Sequence, residues 1–457
     1  MPNLRLRSAS VPATFLISAA LAAVACGNST DDGTGNGGDA GATQDSGGGG
    51  MMTGDSGGGP TDGGGGASDS GSGSTGDGGG HGITPPVSTC AAAKVSLGVE
   101  TVAMISGASS PDVQNIVALD VNNDGAADLV GTDRSSFDVA LSKKDGTFAA
   151  PTNILDPVGN GGGIVGGDFN GDGYQDVLVG SFGSGSVDDS VDLLLGKGDG
   201  TFHLPVNTPV LSSNIYTLIA ADFNADGKLD FYFDGQDAKG IVLNSGGGTF
   251  AGPGTALSVT GLKAASFADI NKDGAADLVY FDANAIAMCV GLNTGSGSFK
   301  PGVCYPTTTG QSGDFVRTGD INGDGNLDVV VVDENGDDGN NGAINVFLGK
   351  SDGTFNDRVP YEFATISTNA LLVDANNDGK ADLEVYEAYS GGQLSIFNGN
   401  ADGTLGAPPA VMAFGAGSAQ EHNPLVAGDF AGNGLRGFAT TKDLDGNIDV
   451  ITTTCKP

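Results

Sequence analysis

One nine-residue pattern, Asp-x-Asn-x-Asp-Gly-x-x-Asp, governs what this chain can fold into. It occurs as DVNNDGAAD (Asp120 to Asp128), DFNGDGYQD (Asp168 to Asp176), DFNADGKLD (Asp222 to Asp230), DINKDGAAD (Asp269 to Asp277), DINGDGNLD (Asp320 to Asp328) and DANNDGKAD (Asp374 to Asp382). Successive first aspartates stand 47 to 54 residues apart. A unit of that length cannot bury its apolar face alone, so its copies must stack against one another. A seventh copy, DFAGNGLRG from Asp429, keeps the spacing but carries Ala431 and Gly437 where the others have Asn and the last Asp.

Each period holds four strand signals. In the second copy the runs Val177 to Val179 and Leu193 to Leu195 are short, apolar and bounded by Gly and Asp, as expected of strands buried on both faces. KGDGTF (Lys197 to Phe202) reads as a tight hairpin turn, echoed at Lys143, Gly246, Ser351 and Ala401. Radial repetition of four-stranded sheets gives an all-β, seven-bladed β-propeller with four-stranded antiparallel blades. VSLGVETVAMIS (Val95 to Ser106) reads as an outer strand without its first three partners. Those partners lie at the other end, where GFATT (Gly437 to Thr441) and NIDVITTT (Asn447 to Thr454) lack a fourth strand. The last blade is therefore expected to be closed by the N-terminal strand, which removes free sheet edges.

The aspartate loop, the apolar strand after it and the Gly-Thr-Phe turn together resemble the FG-GAP and VCBS repeats, the former known from the integrin alpha-subunit propeller. The resemblance runs from about residue 90 to the C-terminus. It implies the propeller fold, and it spans adhesion proteins, lectins and accessory regions of polysaccharide-acting enzymes.

Calcium takes six to eight oxygen ligands, and alternating Asp, Asn and Asp side chains wrap oxygens around one point. About six calcium sites are expected, one per intact loop. Their ligands are Asp120, Asn122, Asp124 and Asp128; Asp168, Asn170, Asp172 and Asp176; Asp222, Asn224, Asp226 and Asp230; Asp269, Asn271, Asp273 and Asp277; Asp320, Asn322, Asp324 and Asp328; and Asp374, Asn376, Asp378 and Asp382. Each loop is expected to close on itself. The helix-loop-helix calcium motif needs Glu at position twelve, where these loops have Gly131, Val179, Phe233, Tyr280, Val331 and Val385. TKDLDGNID, containing Asp445, is expected to be a plain turn.

The 55 acidic and 19 basic residues give a net charge of −36, which excludes nucleic acid and anionic lipid surfaces as partners and favours polyvalent cations. Residues 1–25 read as an export signal, with Arg5 and Arg7 before the apolar run Phe15 to Val24. Cys26 before Gly27 resembles a bacterial lipoprotein attachment site, with Ala23 where leucine is commoner; Ala23 and Ala25 also satisfy ordinary signal-peptidase cleavage. Residues 26–88 form a Gly/Ser/Asp tract with too little apolar surface to fold, a flexible tether. Residues 89–457 hold the propeller. With Cys26 lipidated, Cys289–Cys304 and Cys90–Cys455 are the expected disulfides. The first would flank a hairpin centred on Ser296 and Gly297; the second would replace the missing turn of the closing blade.

Enzyme signatures are sparse. His81, His203 and His422 are the only histidines and form no catalytic or metal-binding pattern, so no catalytic residue is assigned. The leading expectation is a monomeric, calcium-stabilised adhesion or recognition module on a bacterial surface, held to the membrane by its lipid anchor alone and binding a protein or glycan. The alternative is a polysaccharide lyase, a phospholipase-like enzyme, or an accessory domain of one. Ligand contacts are expected on the longer connections at Gly180 to Ser190, Asp333 to Ala343, Glu387 to Gln393 and Gly415 to Pro424, including Phe182, Tyr389 and His422.

Overall fold

The structure is a computed structural model and describes residues 95–103, 115–132, 137–154, 161–181, 190–307, 313–333, 342–363, 369–387, 393–406, 410–413, 424–442 and 447–455. The export signal, Cys26, the tether, Cys90, Asp445 and the residues Phe182, Tyr389 and His422 lie outside them. The described residues form seven four-stranded antiparallel sheets arranged as a β-propeller, with no helix among them.

Blade 2 shows the unit. Its strands are Gly161–Gly167, Asp176–Ser181, Ser190–Leu194 and Val206–Pro209, paired in chain order. The second strand is buried along nearly its whole length because a blade has neighbours on both faces. Val177 and Val179 pack with Val130 and Val139 of blade 1, whereas Leu178 packs with Leu218 and Phe231 of blade 3. The two-residue alternation of a strand thus serves two interfaces at once. First strands of neighbouring blades touch all the way round, and Leu425–Gly428 of blade 7 meets Asn115–Leu119 of blade 1.

Blade 7 is stitched from both termini as expected. Leu425–Gly428, Gly437–Lys442 and Asn447–Cys455 supply three strands, and Val95–Ala103 adds the fourth in antiparallel register from Val95 opposite Cys455 to Ala103 opposite Asn447. The other blades close their outer hairpin with a bridge across the turn, as in Gly196 opposite Phe202 and Asn244 opposite Phe250. In four of these turns a threonine donates both its backbone N–H and its hydroxyl to the aspartate two residues before it, for example Thr201 to Asp199. Cys289 and Cys304 are joined across the outer hairpin of blade 4, where they face each other in register.

Candidate metal centres

The aspartate loops join the first strand of each blade to the second, and the Gly-Thr-Phe turns join the third to the fourth, so both lie on one side of the disc. The loop backbone is set by its sixth residue. Gly125, Gly173, Gly227, Gly274, Gly325 and Gly379 have φ between 80° and 93°. A Cβ at Gly125 or Gly173 would meet nothing within 4 Å, so the left-handed backbone rather than lack of space demands glycine there. The second loop residue faces inward as an anchor: Val121, Phe169, Phe223, Ile270 and Ile321 are all buried. Burying one such side chain contributes about 1.5–3 kcal/mol.

In the second loop, Asp168 accepts hydrogen bonds from the amides of Gly171, Asp172 and Gly173, at 2.7, 3.2 and 2.8 Å. Asn170 Oδ1 accepts from the Asp172 amide at 2.8 Å, and Asn170 Nδ2 donates to Asp172 Oδ2 at 2.9 Å. The same Asn–Asp pair forms in the loops at Asn122, Asn224, Asn271 and Asn322. These are hard oxygen donors gathered on an exposed turn, the chemistry calcium favours. Ammonium groups already lie against the fifth-position carboxylate in three loops: Lys228 on Asp226 and Lys380 on Asp378, both at 2.7 Å, and Lys144 on Asp124 at 3.6 Å. Among the described residues no three His, Cys, Asp or Glu side chains converge on a single point.

The ninth-position aspartate, expected as a metal ligand, also has a structural role. Asp176 is fully buried; its Oδ2 accepts from the Phe169 amide at 2.9 Å and its Oδ1 from the Gly196 amide, at the head of the hairpin turn, at 2.8 Å. Asp128, Asp230, Asp277, Asp328 and Asp382 make the same two bonds. Burial first, then the carboxylates of the same loop, push Asp128 and Asp382 up to about 7 and Asp176, Asp230, Asp277 and Asp328 up to about 6. The seventh loop lacks this aspartate, and its blade has no chain turn between third and fourth strands for one to hold. Asp429 still orders that loop by accepting from the amides of Asn433 and Gly434.

The side-chain bonds of the second loop stay within it, but loop backbones are also held by the following blade. The Phe169 carbonyl of blade 2 accepts from Gly248 N and Asn244 Nδ2 of blade 3, and the Phe223 carbonyl of blade 3 accepts from Gly297 N and Asn293 Nδ2 of blade 4. The first-aspartate carbonyls of Asp222, Asp320 and Asp429 accept from Ala276, Ala381 and Ala127 of the following blades. In blades 1 to 4 the turn thus clasps the loop of the blade before it, with Ser142 on Phe430 and Gly200 on Val121 completing the set, a contact between blades that no single repeat displays. His203 is exposed beside its turn and assembles with no other site residue.

A ring of blades carrying aspartate loops, five of them bonded to the following blade, defines an FG-GAP-type propeller. The FG-GAP-like repeat profile matches residues 120–179, 168–233, 269–331 and 320–385, which together span half of the chain, and the protein belongs to this family. In structure the chain is similar to an Agrocybe aegerita lectin studied for specific recognition of non-reducing terminal N-acetylglucosamine, at 17% identity and a TM-score of 0.53, covering 81% of this chain and 97% of the lectin. It is also similar to the BP39L lectin from Burkholderia pseudomallei, at 16% identity and a TM-score of 0.52, covering 73% of this chain and 96% of that one. At such identities the likeness concerns the fold. No curated protein matches the chain in sequence.

Proposed function

We propose that this protein is a calcium-stabilised recognition module that binds a glycan on the side of the disc opposite its aspartate loops. The observation that carries this reading is the commitment of one side to architecture: its loops and turns are bound to one another, blade to blade, through backbone amides and buried carboxylates. The connections on the other side vary in length and sequence, as recognition loops on a rigid scaffold do. The two lectin neighbours support a glycan as the ligand class.

The calcium ions are structural in this reading. Each would be held by Asp and Asn side chains of one loop, fixing the turn that the next blade clasps. Export and attachment through a lipid on Cys26 complete the proposal, placing the disc at a bacterial surface on a long, flexible tether. A glycan array probed with calcium and with chelator tests the ligand class. Glycan binding that survives alanine replacement of Phe182, Tyr389 and His422 together, in a folded protein, would place recognition elsewhere. Mass spectrometry of the N-terminal peptide tests the lipid, and Cys26→Ala should release the protein from membranes.

A further inference from the structure

Every blade brings two side chains to the interface with the blade that follows: the second residue of its loop and the second residue after the ninth loop position. Around the ring these pairs are Val121 with Val130, Phe169 with Leu178, Phe223 with Tyr232, Ile270 with Val279, Ile321 with Val330, and Phe430 with Ala439. In blade 6 the pair is Ala375 with Glu384. A short side chain stands where the anchor belongs, and a carboxyl stands where the core is otherwise apolar or aromatic.

Glu384 is completely buried, and neither of its carboxyl oxygens makes a well-formed hydrogen bond, the backbone amides of Glu384 and Val373 being the polar groups nearest its charge. Its neighbours in register are Leu371 and Ile396, which pack with Leu425, Ala427, Phe438 and Ile451 of blade 7. Leaving such a group without a partner is costly. The loop above it is altered in the matching sense. Asn376 is buried to 1% exposure, and its Oδ1 has no partner. Instead of pairing with Asp378, its amide nitrogen turns to Asn398 at 3.4 Å, and Asn398 lies next to Asp382 across the sheet, on the face that carries Glu384. The following blade is the one without a chain turn between its last two strands. Blade 6 therefore holds three buried oxygens without a well-formed hydrogen bond: the two of Glu384, on the strand face that also carries Asp382, and Asn376 Oδ1 in the loop above.

We propose that the sixth loop holds its calcium ion deeper than the other five, between Asn376, Asp382 and Glu384 on the face that blade 6 turns to blade 7, with Glu384 as an additional ligand. The inference rests on the calcium reading of the loops. The extra carboxylate raises the ligand charge, which strengthens calcium binding, and the ion gives these oxygens a partner. Tyr386, two residues along the same strand and buried at the same interface, is placed to sensitise a lanthanide in this site.

The test uses the full chain, with calcium counted by native mass spectrometry and terbium emission excited through tyrosine, the chain having no tryptophan. Glu384→Leu restores an apolar side chain and should fold. It should lose one ion or bind it roughly tenfold more weakly, and should lose the part of the terbium emission that Tyr386→Phe also removes. Glu384→Gln, which keeps one oxygen, should fall between. Asp172→Ala should remove a different ion and leave that emission intact. Unchanged ion number, affinity and emission in Glu384→Leu, with Asp172→Ala still losing its ion, would overturn the deep site alone. A wild-type chain that binds neither calcium nor terbium would overturn the calcium reading and this inference together.

Discussion

Chelating calcium should give the protein a stability that falls as the pH rises, and calcium should abolish or reverse that slope. The ninth-position aspartates are responsible. Asp176 has its carboxyl moved from 3.8 to about 6 by burial and by Asp172 and Asp168, so it holds a proton more tightly folded than unfolded. Its contribution is fully present below pH 4 and is lost as the pH climbs through 6. A displacement of about two pH units corresponds to about 3 kcal/mol, roughly half of it released between pH 5 and 8. Residues 171–174 are exposed, so screening lowers the figure to about 1 kcal/mol for this loop. Five similar aspartates bring the total to several kcal/mol. At roughly 1 to 2 °C per kcal/mol for a ring of this length, the melting temperature in chelator should fall by about 5–10 °C from pH 5 to pH 8. Calcium needs the ionised carboxylates, so the loaded protein should hold or gain stability over the same range. Thermal unfolding followed by circular dichroism at several pH values, with chelator and with calcium, measures both slopes. Repeating the series at roughly 1 M salt, where the screening length is about 3 Å, separates buried aspartates from repulsion across the acidic surface. A chelated protein equally stable at pH 5 and pH 8, or parallel curves with and without calcium, would refute the reasoning.

Other outcomes follow from single features. The hydroxyl of Tyr232 is buried without a partner, so Tyr232→Phe should be neutral or should stabilise the protein by up to about 1–2 kcal/mol in chemical denaturation. Gly173 has φ 87° in open space; Gly173→Ala should cost about 1 kcal/mol and weaken calcium binding in that loop, read by calorimetry. Removing the chain through Ala103 strips the outer strand from Asn447–Cys455, and light scattering should then show edge-to-edge association with a lower melting temperature. A monomeric truncated protein of unchanged stability would count against closure by that strand.

The blade was legible because its signals are local. Val177 to Val179, the glycine at Gly173 and the turn from Lys197 to Phe202 each announce their geometry within a few residues, and repetition turned those into a ring. Even the closure could be read, since Val95 to Ser106 lacked partners that Gly437 to Thr454 supplied. The clasp of Asn293 on Phe223 is 70 residues long in sequence, and neither side chain carries a mark of it. Asp176 was visible as an oxygen donor, yet its hold on the Gly196 amide depends on a turn twenty residues away. Glu384 was the detectable omission: laid against Val130, Leu178 and Val330, a glutamate at that position breaks the pattern, but only a buried interface makes the breach meaningful.

The stitched blade also sets an order in time. Val95–Ala103 is made before every other strand of the ring, and Asn447–Cys455, its partner, is made last. The sheet edge left by the first strand must therefore wait while six blades are synthesised, and the export proposed above would carry it unpaired across a membrane. Contacts so distant along the chain form slowly, and unpaired strands associate with one another when they meet. The net charge of −36 opposes, without abolishing, such association between half-made rings. A chain stopped short of Asn447–Cys455 leaves Val95–Ala103 without its partner and the ring open.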